Sequence, residues 1–522
     1  MTSIPCGPCD PGKVQCRCAR IVLCLLVAFG VVFTDVSAAF AVSRHSGAVP
    51  RAAHFTRPTP ARASLAARRE LRRAAPSRST SRRPRTQFAA ARQRGARELP
   101  HARRREHVRL RQDFPRDARD FASLPHRIQR MSTGGPLPAA VPRQVLVFLD
   151  QDQTLSVGAE LARRYGLEQL SSDPLPLLHA RAELMRIRGK RSLEDVLAAL
   201  QRDPRVRSAQ PNQRYLHTAA KERYRHAGEV GSPPKQGPFP QYAPRKIALP
   251  EAHELALGRK VLVAVIDSAV DATHPELRGA VVRSFNAAGR ADVAADFHGT
   301  AIAGIIRAHG IVESAAPEAE ILAVRAFRNT GSDSDPETTT RILATAVDWA
   351  VANGAKILNM SFIGSPDPAL QQLLRAANEK GVVVVAAAGN GGPSAPPVYP
   401  AAYRGVIAVT AVDELDHLYA YANRGSYIAV AAPGVDILAP VEHGGYAYVS
   451  GTSFAAAYVS GIAALLLERD PTLDPQTVAD LISAGVDDLG ARGRDDDFGA
   501  GRVNAFSSLK LVGSTLAEKK SH

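Results

Sequence analysis

Cysteine is missing from the chain beyond residue 24. All five cysteines (Cys6, Cys9, Cys16, Cys18, Cys24) fall in that opening stretch of a 522-residue sequence, so a protein that sheds it has no disulfide to stabilise it outside the cytoplasm. Cys6-x-x-Cys9 and Cys16-x-Cys18 have a metal-site look, but no histidine stands among them and the stretch runs straight into apolar residues. A run long enough to cross a bilayer is lacking too: Ile21 to Phe33 is 13 residues, against the ~20 a spanning helix needs. Lys13, Arg17 and Arg20 precede it, and small residues at Val36-Ser37-Ala38 and Ala39-Phe40-Ala41 follow it. That layout predicts a secretory signal peptide over residues 1–41 and a secreted or periplasmic product. The alternative is an uncleaved membrane anchor.

Lysine is absent from residues 44–130, where 24 arginines face six acidic residues for a local net of +18. The whole chain is formally +16 and residues 1–43 contribute +1, so residues 131–522 carry −3 and the basic excess says nothing about the larger part. The segment 42–140, mostly Arg, Ala, Pro, Ser and Thr, has too few aliphatic residues to offset the entropy of ordering and reads as disordered. A nucleic-acid arm would be similarly basic, but here only Phe55, Phe88, Phe114 and Phe121 are available to stack on bases. No nucleic-acid partner is expected, and membrane contact only through the signal segment.

Order is expected from Val141. Gln144–Leu149 and Leu184–Arg188 read as strands, Thr154–Arg164 and Ser192–Gln201 as helices, the second capped by Ser192, and Val206–Tyr215 as extended. This describes a small α+β unit over 141–217. A Gly- and Pro-rich connector within 218–245 follows. Over 246–512, apolar strands (Val261–Ile266, Ala319–Arg325, Ile357–Met360, Val382–Ala387, Val406–Ala411) alternate with helices (Thr300–Ala308, Thr338–Asn353, Pro368–Lys380, Ser453–Glu468). The pattern predicts an α/β domain with a mostly parallel sheet covered on both faces. Residues 513–522 read as a polar tail.

In such sheets functional groups gather at the carboxyl ends of strands. Asp267 ends the first strand, and His298 opens a helix in Asp296-Phe-His-Gly-Thr. Ser453 follows a tight Gly451-Thr452 turn at a helix start, where the dipole and N–H groups favour developing anionic charge. Asn390 follows another strand and carries an uncharged donor. Taken singly, each of these is an ordinary turn or cap residue; their joint occurrence in one order is specific.

The stretches Val263-Ala-Val-Ile-Asp267-Ser268, Asp271-Ala-Thr-His-Pro-Glu-Leu277, His298-Gly-Thr300, Asn359-Met-Ser361, Gly389-Asn390, Ala432-Pro-Gly434, Ser450-Gly-Thr-Ser453 and Gly499-Ala-Gly-Arg-Val-Asn-Ala505 resemble the catalytic domain of subtilisin-like serine proteases, peptidase family S8. Spacings of 31 residues from Asp267 to His298 and 155 on to Ser453 suit that family. The resemblance implies Ser453 as nucleophile, His298 as general base and acid, Asp267 as its orienting carboxylate, and Asn390 with the Ser453 N–H as oxyanion donors. It further implies that Asn359–Gly364 (Ser361, Phe362, Ile363, Gly364) and Ala386–Gly389 (Ala387, Ala388, Gly389) bind substrate. Ala269, Ala301 and Ala457 stand where the family has other residues, and at Ala269 a strained or altered turn is expected.

Residues 141–217 resemble the family's inhibitory propeptide, a ferredoxin-like domain whose tail near Arg214–Thr218 would lie in the cleft until cut; an accessory interaction domain is the alternative. The expected protein is a secreted endopeptidase made as a zymogen and acting as a monomer on polypeptides. Its own propeptide would serve as intramolecular inhibitor. The alternative is a non-catalytic peptide- or surface-binding protein on the same fold. No cofactor is required, and no metal ligand is assigned. Calcium is common in the family, but Asp333, Asp335 and Glu337 read as a solvated loop.

Overall fold

The computed structural model describes residues 137–217, 225–226, 240–289, 296–328 and 336–520, with side chains described to residue 512. The expected signal peptide, the cysteines, nearly all of the Arg-rich segment, the Gly- and Pro-rich connector, Thr218, Asp333 and Asp335 lie outside these residues.

The first unit runs β1 (Gln144–Asp150), α1 (Ser156–Tyr165), β2 (Leu167–Leu175), β3 (Ala180–Ile187), α2 (Leu193–Gln201) and β4 (Ser208–Pro211). Its antiparallel sheet has the order β2-β3-β1-β4, the split βαβ arrangement of a ferredoxin-like fold. Sequence reading missed β2. It is an edge strand of sequence LEQLSSDPL, polar and carrying Pro174, with few fully buried residues, so neither alternation nor apolar content marks it. The cap on α2 is as expected, Ser192 Oγ accepting from the Asp195 N–H at 3.0 Å.

The near-continuous apolar run of β1 has a physical cause. Val145, Val147 and Leu149 pack with Leu161 and Leu200 into the unit's own core. Leu146 and Phe148, pointing the opposite way, join an apolar layer with Leu343, Val347 and Leu370 of the larger domain. Each fully buried side chain of this size is worth about 1.5–3 kcal/mol. The sheet is therefore built to be covered on both sides. Leu137 packs against the same layer, so the segment expected to be disordered through residue 140 ends earlier.

The chain next forms two short strands, β5 (Arg214–His217) and β6 (Arg225–His226). Packed structure begins again ahead of the expected boundary at 246: Gln241 Nε2 donates to the Ile311 carbonyl at 2.9 Å and Tyr242 Oη to that of Val435 at 2.8 Å. The larger domain then supplies β7 (Leu262–Asp267), β8 (Val281–Asn286), α3 (Phe297–Arg307), β9 (Glu320–Arg325), β10 (Glu337–Thr339), α4 (Thr340–Ala352), β11 (Ile357–Met360), β12 (Phe362–Gly364), α5 (Pro368–Glu379), β13 (Val383–Ala387), β14 (Val406–Val412), β15 (Val430–Pro433), β16 (Ile437–Val441), β17 (Gly445–Val449), α6 (Thr452–Arg469) and α7 (Pro475–Ala484). A last helix, α8 (Ala505–Lys520), runs through the stretch expected to be a polar tail; its Leu, Ala, Glu and Lys are good helix formers.

Seven strands make one parallel sheet in the order β15-β14-β13-β11-β7-β9-β8. Alternate residues of its central strands face two apolar layers. Val263 and Val265 meet α3 and α6 on one side, while Ala264 and Ile266 meet α4 and α5 on the other. Strand β7 is central, so its carboxyl end opens at the point where the strand order reverses, the usual site of function in such sheets.

Candidate active site

Asp267, the last residue of β7, is fully buried. Its Oδ1 accepts from the Ser268 N–H and from His298 Nδ1, both at 2.7 Å. His298 is the second residue of α3, and the Asp296 side chain caps that helix by accepting from the His298 N–H at 3.1 Å. Gly299 sets how closely α3 can approach β7: its N–H donates to Ser268 Oγ at 3.0 Å, and a Cβ there would sit 2.7 Å from the Ser268 carbonyl. Ala269 is not among the residues with positive φ, so of the two expectations, strain or an altered turn, backbone strain of that kind is not what alanine meets there.

Ser453 is the second residue of α6, after Gly451 with φ +154°. Its Oγ lies 3.4 Å from the Ser361 carbonyl, and Ser361 Oγ reaches Asn359 Oδ1 at 3.1 Å and the Ser453 carbonyl at 3.2 Å. The Phe454 ring stands 5.7 Å from that of His298, which brings the start of α6 to the imidazole. With Nδ1 donating to Asp267, a neutral His298 offers Nε2 as an acceptor, and that atom is buried with no hydrogen-bond partner.

Asn390 lies three residues beyond β13. Its Oδ1 accepts from the Thr452 N–H at 3.1 Å and from Thr452 Oγ1 at 2.9 Å, and Thr452 Oγ1 accepts from the Gly389 N–H at 3.1 Å. This orientation turns the amide NH2 toward Gly451, at whose Cβ position it would be 3.0 Å away. Ala387 ends β13, and Ala388 and Gly389 follow it to Asn390; the Ala388 carbonyl accepts from Tyr427 Oη at 2.8 Å. Sequence reading missed Thr452 as the residue that aims Asn390. Its partners lie more than 60 positions away, so only the Gly-Thr-Ser motif pointed near it.

Phe362, Ile363 and Gly364 form β12, which pairs antiparallel with β5, setting Phe362 opposite His217, Ile363 opposite Leu216 and Gly364 opposite Tyr215. On its other side β5 pairs with β10. The tail of the small unit is thus an added strand between two strands of the larger domain. His217 was not singled out from the sequence. Its ring stacks on that of His298 at 4.4 Å, lies 4.0 Å from Phe327, and brings Nε2 to 3.5 Å from Asp267 Oδ1.

These contacts set the charges. Burial pushes the Asp267 carboxyl up, but His298, His217 and the hydrogen bonds from His298 and Ser268 outweigh it and hold the group below its ordinary value. Burial pushes His298 down, and the Asp267 charge and hydrogen bond more than compensate, leaving it raised. For His217 burial wins: its pKa falls to about 3, with Asp267 opposing and His298 adding to the shift.

A consequence for pH follows. His217 docks neutral beside His298, Asp267 and Phe327, so protonation disfavours docking. Docking is at full strength above the ordinary histidine pKa of about 6.5 and weakens up to tenfold per unit as pH falls from there toward 3. In a Ser453→Ala precursor, amide-exchange protection of residues 214–217 should fall across that window beyond the intrinsic rate change, and His217→Asn should remove the extra dependence. Protection that does not respond to His217→Asn would contradict this reading.

Among the described residues, His217, Asp267 and His298 form the one cluster with metal-ligand proximity. The two imidazoles are stacked, 19° from parallel, so their lone pairs do not converge on an ion. Glu337, the one member of the acidic trio that is described, faces Arg214 at 3.7 Å and offers no calcium donor set. The parts make a hydrogen-bonded carboxylate and imidazole, a hydroxyl at a helix N-terminus and an amide donor, the equipment of acyl transfer.

Known proteins agree. Residues 258–501 match the subtilase family, Peptidase_S8, and residues 135–212 match the fervidolysin N-terminal prodomain. Thermitase of Thermoactinomyces vulgaris is 36% identical over 52% of this chain and 96% of its own length. A thermophilic serine proteinase of Bacillus sp. (strain AK1) is 36% identical over 61% of this chain and 76% of its own. The crystal structure of fervidolysin from Fervidobacterium pennivorans, titled a keratinolytic enzyme related to subtilisin, superimposes with a TM-score of 0.60 at 26% identity, covering 71% of this chain and 61% of that one.

The chain belongs to the subtilase family: it is a subtilisin-like serine endopeptidase with a fervidolysin-like prodomain ahead of its catalytic domain. Subtilases generally need no cofactor and commonly bind calcium.

Proposed function

We propose that this chain is an extracellular endopeptidase made as a zymogen, with Ser453, His298 and Asp267 as its triad. The observation that carries the reading is the 2.7 Å bond from His298 Nδ1 to buried Asp267, with an extended tail paired onto β12 in front of it. Ser453 Oγ attacks the scissile carbonyl as its proton passes to His298 Nε2. Asn390 Nδ2 and the Ser453 N–H hold the charge that forms on the carbonyl oxygen. When the carbon–nitrogen bond breaks, His298 returns the proton to the leaving amine; water then repeats the sequence on the acyl-enzyme. The chemistry draws on these side chains alone and needs no cofactor.

Substrates are polypeptides bound as the tail is, by main-chain pairing to Phe362–Gly364, with Ala387, Ala388 and Gly389 on the facing segment beside Asn390. The prodomain supports the same site. Its Asn212 Oδ1 accepts from the Arg341 N–H at 3.2 Å and its Gln210 Oε1 from the Ala369 N–H at 3.0 Å, satisfying helix-start donors of α4 and α5 that otherwise lack intrahelical partners. Secretion, with residues 1–41 removed as a signal peptide, belongs to the same proposal. Among the described residues no helix is long and apolar enough to cross a membrane.

At the end of the described tail His217 stands opposite Phe362, and Ser361, the residue before Phe362, has its carbonyl beside Ser453 Oγ. The first maturation cut is therefore expected at Thr218–Ala219. N-terminal sequencing of early product should read from Ala219 in the wild type only; identical processing in Ser453→Ala would argue against self-maturation. Asn390→Ala should lower kcat by about 10²–10³ with a smaller change in KM, since the amide acts on charge that forms in the transition state. Equal losses of binding and turnover would contradict that role.

A further inference from the structure

We propose that Asp367 makes the released enzyme select a substrate tyrosine at the position now held by Tyr215, the fourth residue before the expected cut. This rests on the protease reading above. The Tyr215 side chain is fully buried, its ring edge-on to Phe362 with centroids 5.7 Å apart and planes at 84°. It lies so close over Gly364 that a Cβ there would come within 2.3 Å of its Cδ1. The slot is therefore cut to an aromatic ring, and the missing side chain of Gly364 makes the room.

At its inner end stands a charge. Tyr215 Oη donates to Oδ2 of Asp367 at 2.8 Å, and Asp367 is itself fully buried. That carboxylate also takes Thr340 Oγ1 on Oδ2 at 2.6 Å. Its Oδ1 takes Gln210 Nε2 at 2.6 Å and the Ala369 and Leu370 N–H groups at 3.0 and 3.2 Å, as the cap of α5. Gln210 and Tyr215 both lie upstream of the expected cut and leave with the prodomain. Thr340 and the two helix N–H groups stay. The enzyme is left with a carboxylate at the end of an aromatic slot, still held in place and with acceptor capacity vacated.

A tyrosine refills that capacity, whereas a phenylalanine of the same shape covers it with a ring edge that carries no hydroxyl to donate. A site built to accept a hydroxyl rejects the analogue that lacks it. A hydrogen bond to a charged group sets the scale here at about 10- to 100-fold in kcat/KM, because Asp367 keeps three other donors. An acidic residue would be repelled.

The test uses mature enzyme and two fluorogenic peptides that end in Tyr-Leu-His-Thr and Phe-Leu-His-Thr before the reporter group. Wild type should favour the tyrosine peptide by about 10- to 100-fold. Asp367→Ser, which keeps a helix cap but cannot reach the hydroxyl, should bring the ratio to within about threefold of unity; Asp367→Asn, retaining the shape and cap without the charge, should lower it to an intermediate value. Wild-type hydrolysis of both peptides at equal rates overturns the pocket assignment and leaves the protease reading standing. A preference for tyrosine that survives in both variants also overturns it. Hydrolysis of neither peptide by wild type overturns the protease reading and the pocket with it.

Discussion

Ser453→Ala should abolish turnover, lowering kcat by about 10⁶ while the precursor accumulates uncut. The reason is chemical before it is structural. Ser453 occupies the second position of α6, where Ala455 and Ala456 are already its buried neighbours, so a methyl group fits the helix and the pocket. What disappears is the oxygen that forms the acyl bond. With it gone, His298 has no proton to accept and the oxyanion donors have no charge to stabilise. Peptide binding along β12 depends on main-chain pairing and should survive, so the loss belongs in kcat. Steady-state assays with peptide titration separate the two; a variant retaining more than about one part in a thousand of wild-type kcat would show that another group performs the attack.

Asp267→Asn should cost about 10⁴ in kcat with the fold intact. Asp267 Oδ1 accepts from two donors, the Ser268 N–H and His298 Nδ1. An asparagine can keep one of these contacts with its oxygen. If its NH2 end meets the imidazole, Nδ1 must become the acceptor, the ring proton moves to Nε2, and the base faces Ser453 with no lone pair. The substitution also removes the charge that raises His298. With His298 as the proposed base, wild-type activity should be complete at alkaline pH and fall as pH drops through the raised histidine value. In Asp267→Asn the residual activity should keep its acid limb at lower pH. A pH profile of kcat/KM for both proteins tests this. A small loss in kcat with an unmoved limb would remove Asp267 from the role assigned to it.

The parts of this site that could be read from sequence are those marked by their position at element ends. Asp267 closes a continuous aliphatic strand, His298 follows an Asp cap, and Ser453 follows a Gly-Thr turn; each lies where local pattern and chemistry coincide. The central strands β7, β9, β11, β13 and β14 were legible for the same reason, because burial on both faces leaves an unbroken apolar run. Edge strands were not. β8, VVRSFN, is largely exposed, and β2 is polar with a proline, so both resemble loops until a neighbour is present.

The site's control elements were hidden for a different reason. His217 gains meaning only from the stacked ring of His298, 81 residues away in sequence. Asp367 caps α5; its second task as the partner of Tyr215 depends on a contact across 152 residues. Likewise the apolar run of β1 signalled a strand without revealing that its second face is buried by another domain. Local pattern specifies elements and their ends. Pairings between domains are set by packing, which the chain does not spell out locally.

The most direct test of the central claim is a fluorophosphonate reaction with the processed protein, followed by peptide mass mapping. A nucleophilic serine activated by His298 and Asp267 should give one adduct, on Ser453, formed faster as pH rises through the His298 value and absent from Ser453→Ala. A processed wild-type protein that takes no label, or takes it at another residue, would contradict the account.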